Sequence, residues 1–396
     1  MKIVLLGGAG IIGKAIARDL AIFGGVDEIV IADLNAEGAK SVADAVSGYG
    51  TKVSGTGIDV TDRKALVRLI EGSGAVVNAV QYYFNLDVMR GCLDAGVNYL
   101  DLGGLFHTTR KQLELHEEFE RAGITAILGM GSCPGVANVQ TGLLGGMLDR
   151  VKSIKIYNGS TPDEEEGLSW AYSIETILDE MTKKPVVFRN GKFVEMEPAS
   201  EEEFFMFPEP LGYAKTHLSL HSEIATIPIS LKDKGIEEAF FKITFFGYAE
   251  SAFRKLQFLI EIGMADTEPV EVKGVKVRPR DVLVAVLRRS PETHKKPKSL
   301  GFKDIATVAE GRKDGKDVEW RVDTWAWPNE KLGISGGTLL VASPPAIVAR
   351  WLAGAGPSMK PGVYPPEVAV DPLPFFQELG KRGAVTTITR KEPLES

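Results

Sequence analysis

Ile3-Val-Leu-Leu6 runs into Gly7-Gly8-Ala-Gly10-Ile-Ile-Gly13, and Glu28-Ile-Val-Ile-Ala32, closed by Asp33, follows one helix length later. The first run is short, apolar and β-branched; the glycines fit G-x-G-x-x-G; and Ile12, Ile16 and Leu20 then recur every four positions, a helical face. Strand, glycine turn and helix in that order let the backbone approach a pyrophosphate. In this reading Gly8 makes the tight turn, Gly10 admits the phosphates, and Gly13 lets helix and strand pack closely. Ile11 and Ile12 open the helix, whose free N–H groups and positive dipole end face an anion. Asp33 stands 20 residues beyond Gly13, where a carboxylate accepts from a ribose 2′-hydroxyl. Leu34 and Asn35 follow it, so no basic neighbour awaits a 2′-phosphate; NAD is expected over NADP, with Lys40 the nearest cation. Asp33 would equally serve as a helix cap.

The same rhythm continues to about residue 150. Lys52–Thr56, Ala75–Ala79, Tyr99–Leu102 and Thr125–Leu128 read as further strands buried on both faces, which predicts a doubly wound parallel α/β sheet. Helices are expected from Asp62-Arg63 and from about Lys111 to Arg121. Loops at the carboxyl ends of these strands line the crevice where ligands bind. Asp59 and Val60 would lie near an adenine, with a cap of the helix at Thr61 as the alternative for Asp59. Asn78 and Ala79 would line the nicotinamide ribose. Tyr82 and Asp101, on the next two loops, are the candidates for proton handling. Cys133, in Gly129-Met-Gly-Ser-Cys133-Pro-Gly135, is expected to line the crevice rather than act as a nucleophile, since no base accompanies it.

After about Asp149 the strands lengthen and pair locally. Phe302–Ala309 and Val318–Trp325 flank a hairpin, Ala239–Tyr248 reads as a core strand, Pro279–Leu287 as a helix, and the prolines around Pro361 as a crossing segment. His217 and His221 are four apart, but no companion ligand signature supports a metal, and none is expected. His221 and Glu223 are better read as a polar substrate loop. His107 is a second candidate for the crevice, and His116 is expected on a solvated helix face. Arg110, Arg278 and Arg280 are candidate partners for a substrate carboxylate.

The chain has 396 residues, enough for about two domains, and its 44% apolar and 25% charged content is that of a folded globular protein. A net charge of −7 gives nucleic acid or an anionic membrane no electrostatic support. Two cysteines exclude a disulfide framework. No leader is read ahead of the first strand and no run of about 20 apolar residues is read along the chain, so a cytoplasmic protein is expected.

The segments Asn78-Ala-Val-Gln-Tyr82-Tyr-Phe-Asn85, Asp101-Leu-Gly-Gly104, Cys133-Pro-Gly-Val, Val277-Arg-Pro-Arg-Asp-Val-Leu283, Gly311-Arg-Lys-Asp-Gly-Lys316 and Gly362-Val-Tyr-Pro-Pro-Glu367 resemble the saccharopine dehydrogenase family, above all its lysine 6-dehydrogenase-like members. The resemblance implies a Rossmann domain over 1–134, an inserted α+β domain on a largely antiparallel sheet over 135–350, and a tail over 351–396 returning to the first domain. It also implies substrate contacts and a homodimer surface on the inserted domain, and nicotinamide chemistry at a C–N bond of an amino acid. Tyr82 matches the tyrosine of a Pro-Tyr-x-Phe-His-like loop in saccharopine reductases, but Gln81 replaces Pro and Asn85 replaces His. Cys133 stands where Asp often precedes Pro-Gly. These departures point toward oxidative deamination of the L-lysine side chain. The alternatives are a saccharopine- or carboxynorspermidine-dehydrogenase-type reductive condensation, or a non-catalytic dinucleotide sensor.

Overall fold

The computed structural model describes residues 1–161, 173–244, 250–291 and 300–393. Seven strands form the first sheet: β1 (Lys2–Leu6), β2 (Glu28–Asp33), β3 (Lys52–Gly57), β4 (Ala75–Asn78), β5 (Asn98–Asp101), β6 (Thr125–Ile127) and a late arrival, Gly362–Tyr364. All are parallel. From one edge the order is Gly362–Tyr364, β6, β5, β4, β1, β2, β3, so the direction of winding reverses at β1 and β4. The central strands are buried on both faces, as their Val/Ile/Leu content dictates, whereas β3 is an edge and leaves alternate residues exposed. The helix expected at 111–121 is two helices, Leu105–Leu113 and His116–Ala122.

The second sheet gathers β7 (Arg150–Ser160), β8 (Val186–Arg189), β9 (Lys192–Glu195), β10 (Glu203–Met206), β11 (Tyr213–Leu218) and β12 (Glu238–Ile243) with later strands. A separate ribbon, β13 (Val270–Val272) and β14 (Val275–Val277), pairs with itself. Then come β15 (Lys303–Lys313), β16 (Lys316–Ala326), β17 (the Gly362–Tyr364 strand already met) and β18 (Val385–Lys391). The path runs β10-β11-β12-β7-β15-β16-β18, antiparallel except for β12 beside β7. The β15–β16 hairpin is longer than its sequence pattern suggests. Only Asp314 and Gly315 remain in the turn, both at positive φ (50° and 80°), the conformation of an Asp-Gly two-residue turn. In the expected 239–248 strand, β12 ends at Ile243; residues 245–249, with Phe245 and Phe246, lie outside the described residues, as does the acidic run at 163–166.

Two long elements fasten the layers. The helix Val136–Met147 leaves the first sheet and packs on β15, where Gln140 donates to the Ile305 carbonyl (2.9 Å). The helix Gly336–Arg350 packs on the first-domain helix Ile11–Phe23. By composition, the stretch Gly336–Ala355 is long and apolar enough to span a bilayer, which the sequence reading overlooked, but 61% of its apolar window is buried inside the protein. The residues after 350 serve both sheets, because β17 joins the first and β18 pairs with β16 in the second.

Candidate active site

The glycine loop divides its work differently from the motif's usual reading. Gly7, outside the motif, takes the left-handed conformation at φ +77°. A Cβ on Gly8 would lie 2.4 Å from Ile31 Cγ2, and one on Gly13 would lie 2.2 Å from the Gly7 carbonyl oxygen. Both glycines are therefore packing requirements. Gly10 is exposed, its added Cβ would meet only that carbonyl at 3.3 Å, and no side chain caps the helix it opens. The helix start at Ile11 and Ile12 thus presents a bare backbone surface, the cradle a pyrophosphate needs.

Asp33 sits beside it. One carboxylate oxygen accepts from the Ala9 N–H (3.0 Å) and the other from Asn35 N–H (2.9 Å). It is not a helix cap: Asn35 fills that position by accepting from Gly38 N–H. Lys40 is paired with Glu37 at 2.9 Å. Asp59 is exposed and accepts from the N–H and hydroxyl of Thr61, hydrogen bonds that hold its carboxyl below the ordinary value, while Asp62 caps the helix that follows. Val60 is buried behind it. Asn78 ends β4 fully buried, donating to Asn85 (2.9 Å) and Tyr99 (3.1 Å), yet its own carbonyl oxygen has no hydrogen-bond partner. Ala79 is partly exposed beside it. The bare helix start, the Asp33 carboxylate beside it and this orphaned acceptor fit a dinucleotide.

Asp101 lies at the floor of the crevice, 1% exposed. Its carboxylate accepts from Gln112 (2.6 Å), Tyr99 (2.9 Å) and Asn85 (3.2 Å) on one oxygen, and from Gly129 N–H (2.7 Å) and Gly103 N–H (2.9 Å) on the other. Burial pushes its carboxyl upward against those bonds. Five donors make it the anchor that holds the β5 and β6 loops together.

Tyr82 instead reaches across to the second domain. Its hydroxyl donates to Asp179 (2.8 Å) and accepts from Lys183 (2.7 Å), and Arg280 closes the group on Asp179 at 2.6 Å. Burial raises the phenol above its ordinary value, Lys183 pulls it back and Asp179 pushes it up. Asp179 and Glu180 are neighbours on the helix Ile174–Thr182, and Glu180 belongs to a second group.

That group unites the other expected residues. Glu223 opens a helix, Glu223–Ser230, where the sequence suggested a loop, and is fully buried. Its carboxylate lies 3.2 Å from His221 Nδ1; Glu180 lies 3.6 Å from His221 Nε2; and the imidazole stacks on Phe241 at 3.7 Å. Burial works against the imidazolium, but Glu223 and then Glu180 outweigh it and hold its pKa up to about 9. Cys133 sits within the field of Glu223, Lys303 and Glu180, its thiol pushed up chiefly by burial. The first domain meets this cluster directly, because a Cβ on Gly103 would lie 2.8 Å from Pro134 and 3.4 Å from Ser222 Oγ. Cys133, His221 and Glu223 are therefore brought together. Their hydrogen bonds form a network separate from that of Tyr82, linked to it through adjacent residues of one helix.

Glu180, Lys303 and Ser222 were missed, and no spacing rule would have found the first two, which come from distant elements. Other expectations fall away from the crevice. His217 lies in β11 with Nδ1 against the Ala199 carbonyl. His107 is exposed. His116 is not on a solvated face, because its ring accepts from Val363 N–H and stacks edgewise on Tyr364.

The profile of the saccharopine dehydrogenase NADP binding domain matches residues 3–127, and that of the saccharopine dehydrogenase C-terminal domain matches residues 131–384. The chain is 26% identical to carboxyaminopropylagmatine dehydrogenase of Synechocystis, over 97% of this chain and 96% of that protein. It is 24% identical to carboxynorspermidine synthase of Vibrio cholerae, over 98% and 96%. Among solved structures, apo saccharopine dehydrogenase (L-Glu forming) from Saccharomyces cerevisiae superposes with a TM-score of 0.73 at 16% identity, covering 98% of this chain and 99% of that one. Homospermidine synthase from Legionella pneumophila, in complex with NAD, gives 0.66 at 13% identity over 98% and 91%. With both profiles spanning nearly its whole length, the chain belongs to the saccharopine dehydrogenase family of dinucleotide-binding oxidoreductases.

Proposed function

We propose that this enzyme oxidises or forms the bond between a carbon and the nitrogen of a cationic amine, using NAD. The observation that carries the reading is the buried group of Glu180, His221 and Glu223 where the second domain closes on the β5 and β6 loops. Two carboxylates around one imidazolium make this group of three net negative, which favours a cationic ligand against it. NAD, when bound, supplies the hydride acceptor. Gly10, Ile11 and Ile12 would hold its pyrophosphate, Asp33 its adenosine ribose diol, and Asn78 and Ala79 the nicotinamide end. Asp33 and the pairing of Lys40 with Glu37 support NAD over NADP.

The substrate amine must give up a proton before its carbon is oxidised. Tyr82 takes that proton as it hands its own hydroxyl proton to Asp179, with Lys183 holding the oxygen in place; this relay is the transfer we assign, with Asp101 positioning the loops. In the first reading the substrate is L-lysine, and water opens the resulting C=N bond to a semialdehyde. The second reading is reductive condensation of an amine with a carbonyl compound, favoured by the two relatives that align along their full length and carry polyamine-type names.

The test is NADH formation with L-lysine, saccharopine and diamines, beside NADH consumption with a diamine plus a carbonyl-bearing amino acid. Lysine oxidation without a carbonyl co-substrate supports the first reading, and a strict need for the carbonyl supports the second. Cofactor binding with no turnover in either direction would favour a sensor. Titration of NAD and NADP decides the cofactor; tighter NADP binding overturns the assignment of Asp33.

A further inference from the structure

Beside the buried cluster stands one partly exposed cation that the reading above leaves without a task. Lys303 opens β15 and reaches the loop between β6 and the helix Val136–Met147, donating to Ser132 Oγ at 3.1 Å. Burial pushes its ammonium below the ordinary value, against the pull of Cys133 and Glu180. Among the described residues no carboxylate lies within ion-pair distance of it. A lysine so placed is short of an anionic partner. Two of the arginines that looked available for a substrate carboxylate are otherwise engaged. Arg280 is committed to Asp179 and the Glu175 carbonyl, and Arg110 stands over the exposed Phe193 ring.

The acid end of the cluster has the complementary shortage. Glu223 Oε1, Ser222 Oγ and His221 Nε2 are all buried and none has a hydrogen-bond partner. Cys133 feels both Glu223 and Lys303. Glu223 Oε1 and Ser222 Oγ can accept from an ammonium, and Lys303 can donate to a carboxylate.

We propose that Lys303 is a specificity residue that receives a carboxylate, so that the site takes bipolar amines, carrying ammonium and carboxylate on one molecule, and discriminates against the same amine without the carboxylate. The proposal rests on the reading that this crevice holds an amine substrate, but it concerns binding and can be measured without turnover. Losing one partner of a desolvated charge pair weakens binding on the order of 10²-fold.

The experiment is calorimetric titration of the full chain, saturated with NAD, using L-lysine against cadaverine and diaminobutyrate against diaminopropane. Each pair differs only by the carboxylate. The wild type should bind the amino acid of at least one pair on the order of 10²-fold more tightly than its diamine. Lys303→Gln should erase that preference by weakening the amino acid alone, Lys303→Arg should keep most of it, and Glu223→Gln should weaken both members. Equal affinities in the wild type, a preference that survives in Lys303→Gln, or no binding of any of the four overturns the proposal. If Lys303→Gln does not fold, the wild-type pair and Lys303→Arg still decide it. Selective binding with neither NADH formation nor carbonyl-dependent NADH consumption would sink the proposed function and leave this inference standing.

Discussion

His221 shows how a single residue reports on the whole site. Its imidazolium survives burial only because Glu223 and Glu180 flank it, and its pKa is held up to about 9 from an ordinary 6.5. A raised pKa stabilises the fold while the group is charged in the folded state. That contribution is complete below pH 6.5 and is lost as pH rises through about 9. It amounts to roughly 2–4 kcal/mol. Denaturant unfolding of the wild type and His221→Gln at the two ends of that window should show their difference shrinking toward high pH. A constant difference would place the titrating group elsewhere. Tyr82 is the residue to test for chemistry. Tyr82→Phe removes the hydroxyl that joins Asp179 and Lys183, and we expect turnover to fall by about 10²-fold or more, the size of a lost acid–base group. NAD affinity should stay within about twofold of the wild type, since no cofactor-facing group is touched. A loss smaller than about tenfold would shift the proton to the His221–Glu223 pair.

The glycine loop behaves as an element because its glycines are not equivalent. Gly13→Ala forces a Cβ to within 2.2 Å of the Gly7 carbonyl oxygen, so helix and strand must separate. We expect a loss of about 1–3 kcal/mol in stability together with the dinucleotide site. Gly10→Ala meets that same oxygen only at 3.3 Å, at a helix start with ordinary φ of −70°. It should leave unfolding within about 0.5 kcal/mol of the wild type, while NAD titration records weaker binding because the methyl group projects where the pyrophosphate approaches. Equal stability losses in the two variants would mean that Gly10, too, is a packing residue.

The whole molecule is closed by a bond between residues 363 positions apart. Arg382 and Asp19 are both fully buried; the guanidinium donates to both carboxylate oxygens at 2.8–3.1 Å, and Ser343 adds a bond at 2.7 Å. The pair ties the end of the chain to the helix Ile11–Phe23, just before β18 crosses to the second sheet. Arg382→Met leaves the Asp19 carboxylate buried without its partner, a change that costs about 3–5 kcal/mol. Changing Asp19 to Asn in the same chain should recover part of it. Both are read from denaturant midpoints, and an Arg382→Met protein as stable as the wild type would show that this ion pair contributes nothing to closure.

What could be read from the sequence was what local patterning determines. The strand–glycine–helix unit, the parallel alternation to residue 128 and the Asp-Gly hairpin follow from backbone sterics and burial within a few residues, so their pattern survives in one dimension. Cys133, His221 and Glu223 were legible for a related reason, since each lies in a polar or glycine-rich turn at an element's end. The break at Glu114-Leu115, the edge character of β3 and the capture of His116 by Val363 were not, because each depends on a partner supplied by a remote segment. The same holds for Glu180 and Lys303. An acid within an ordinary helix and a lysine at the head of a hairpin carry no signal until tertiary packing removes water from both. Burial is what turns their charges into a site, and burial is a property that only the closed chain possesses.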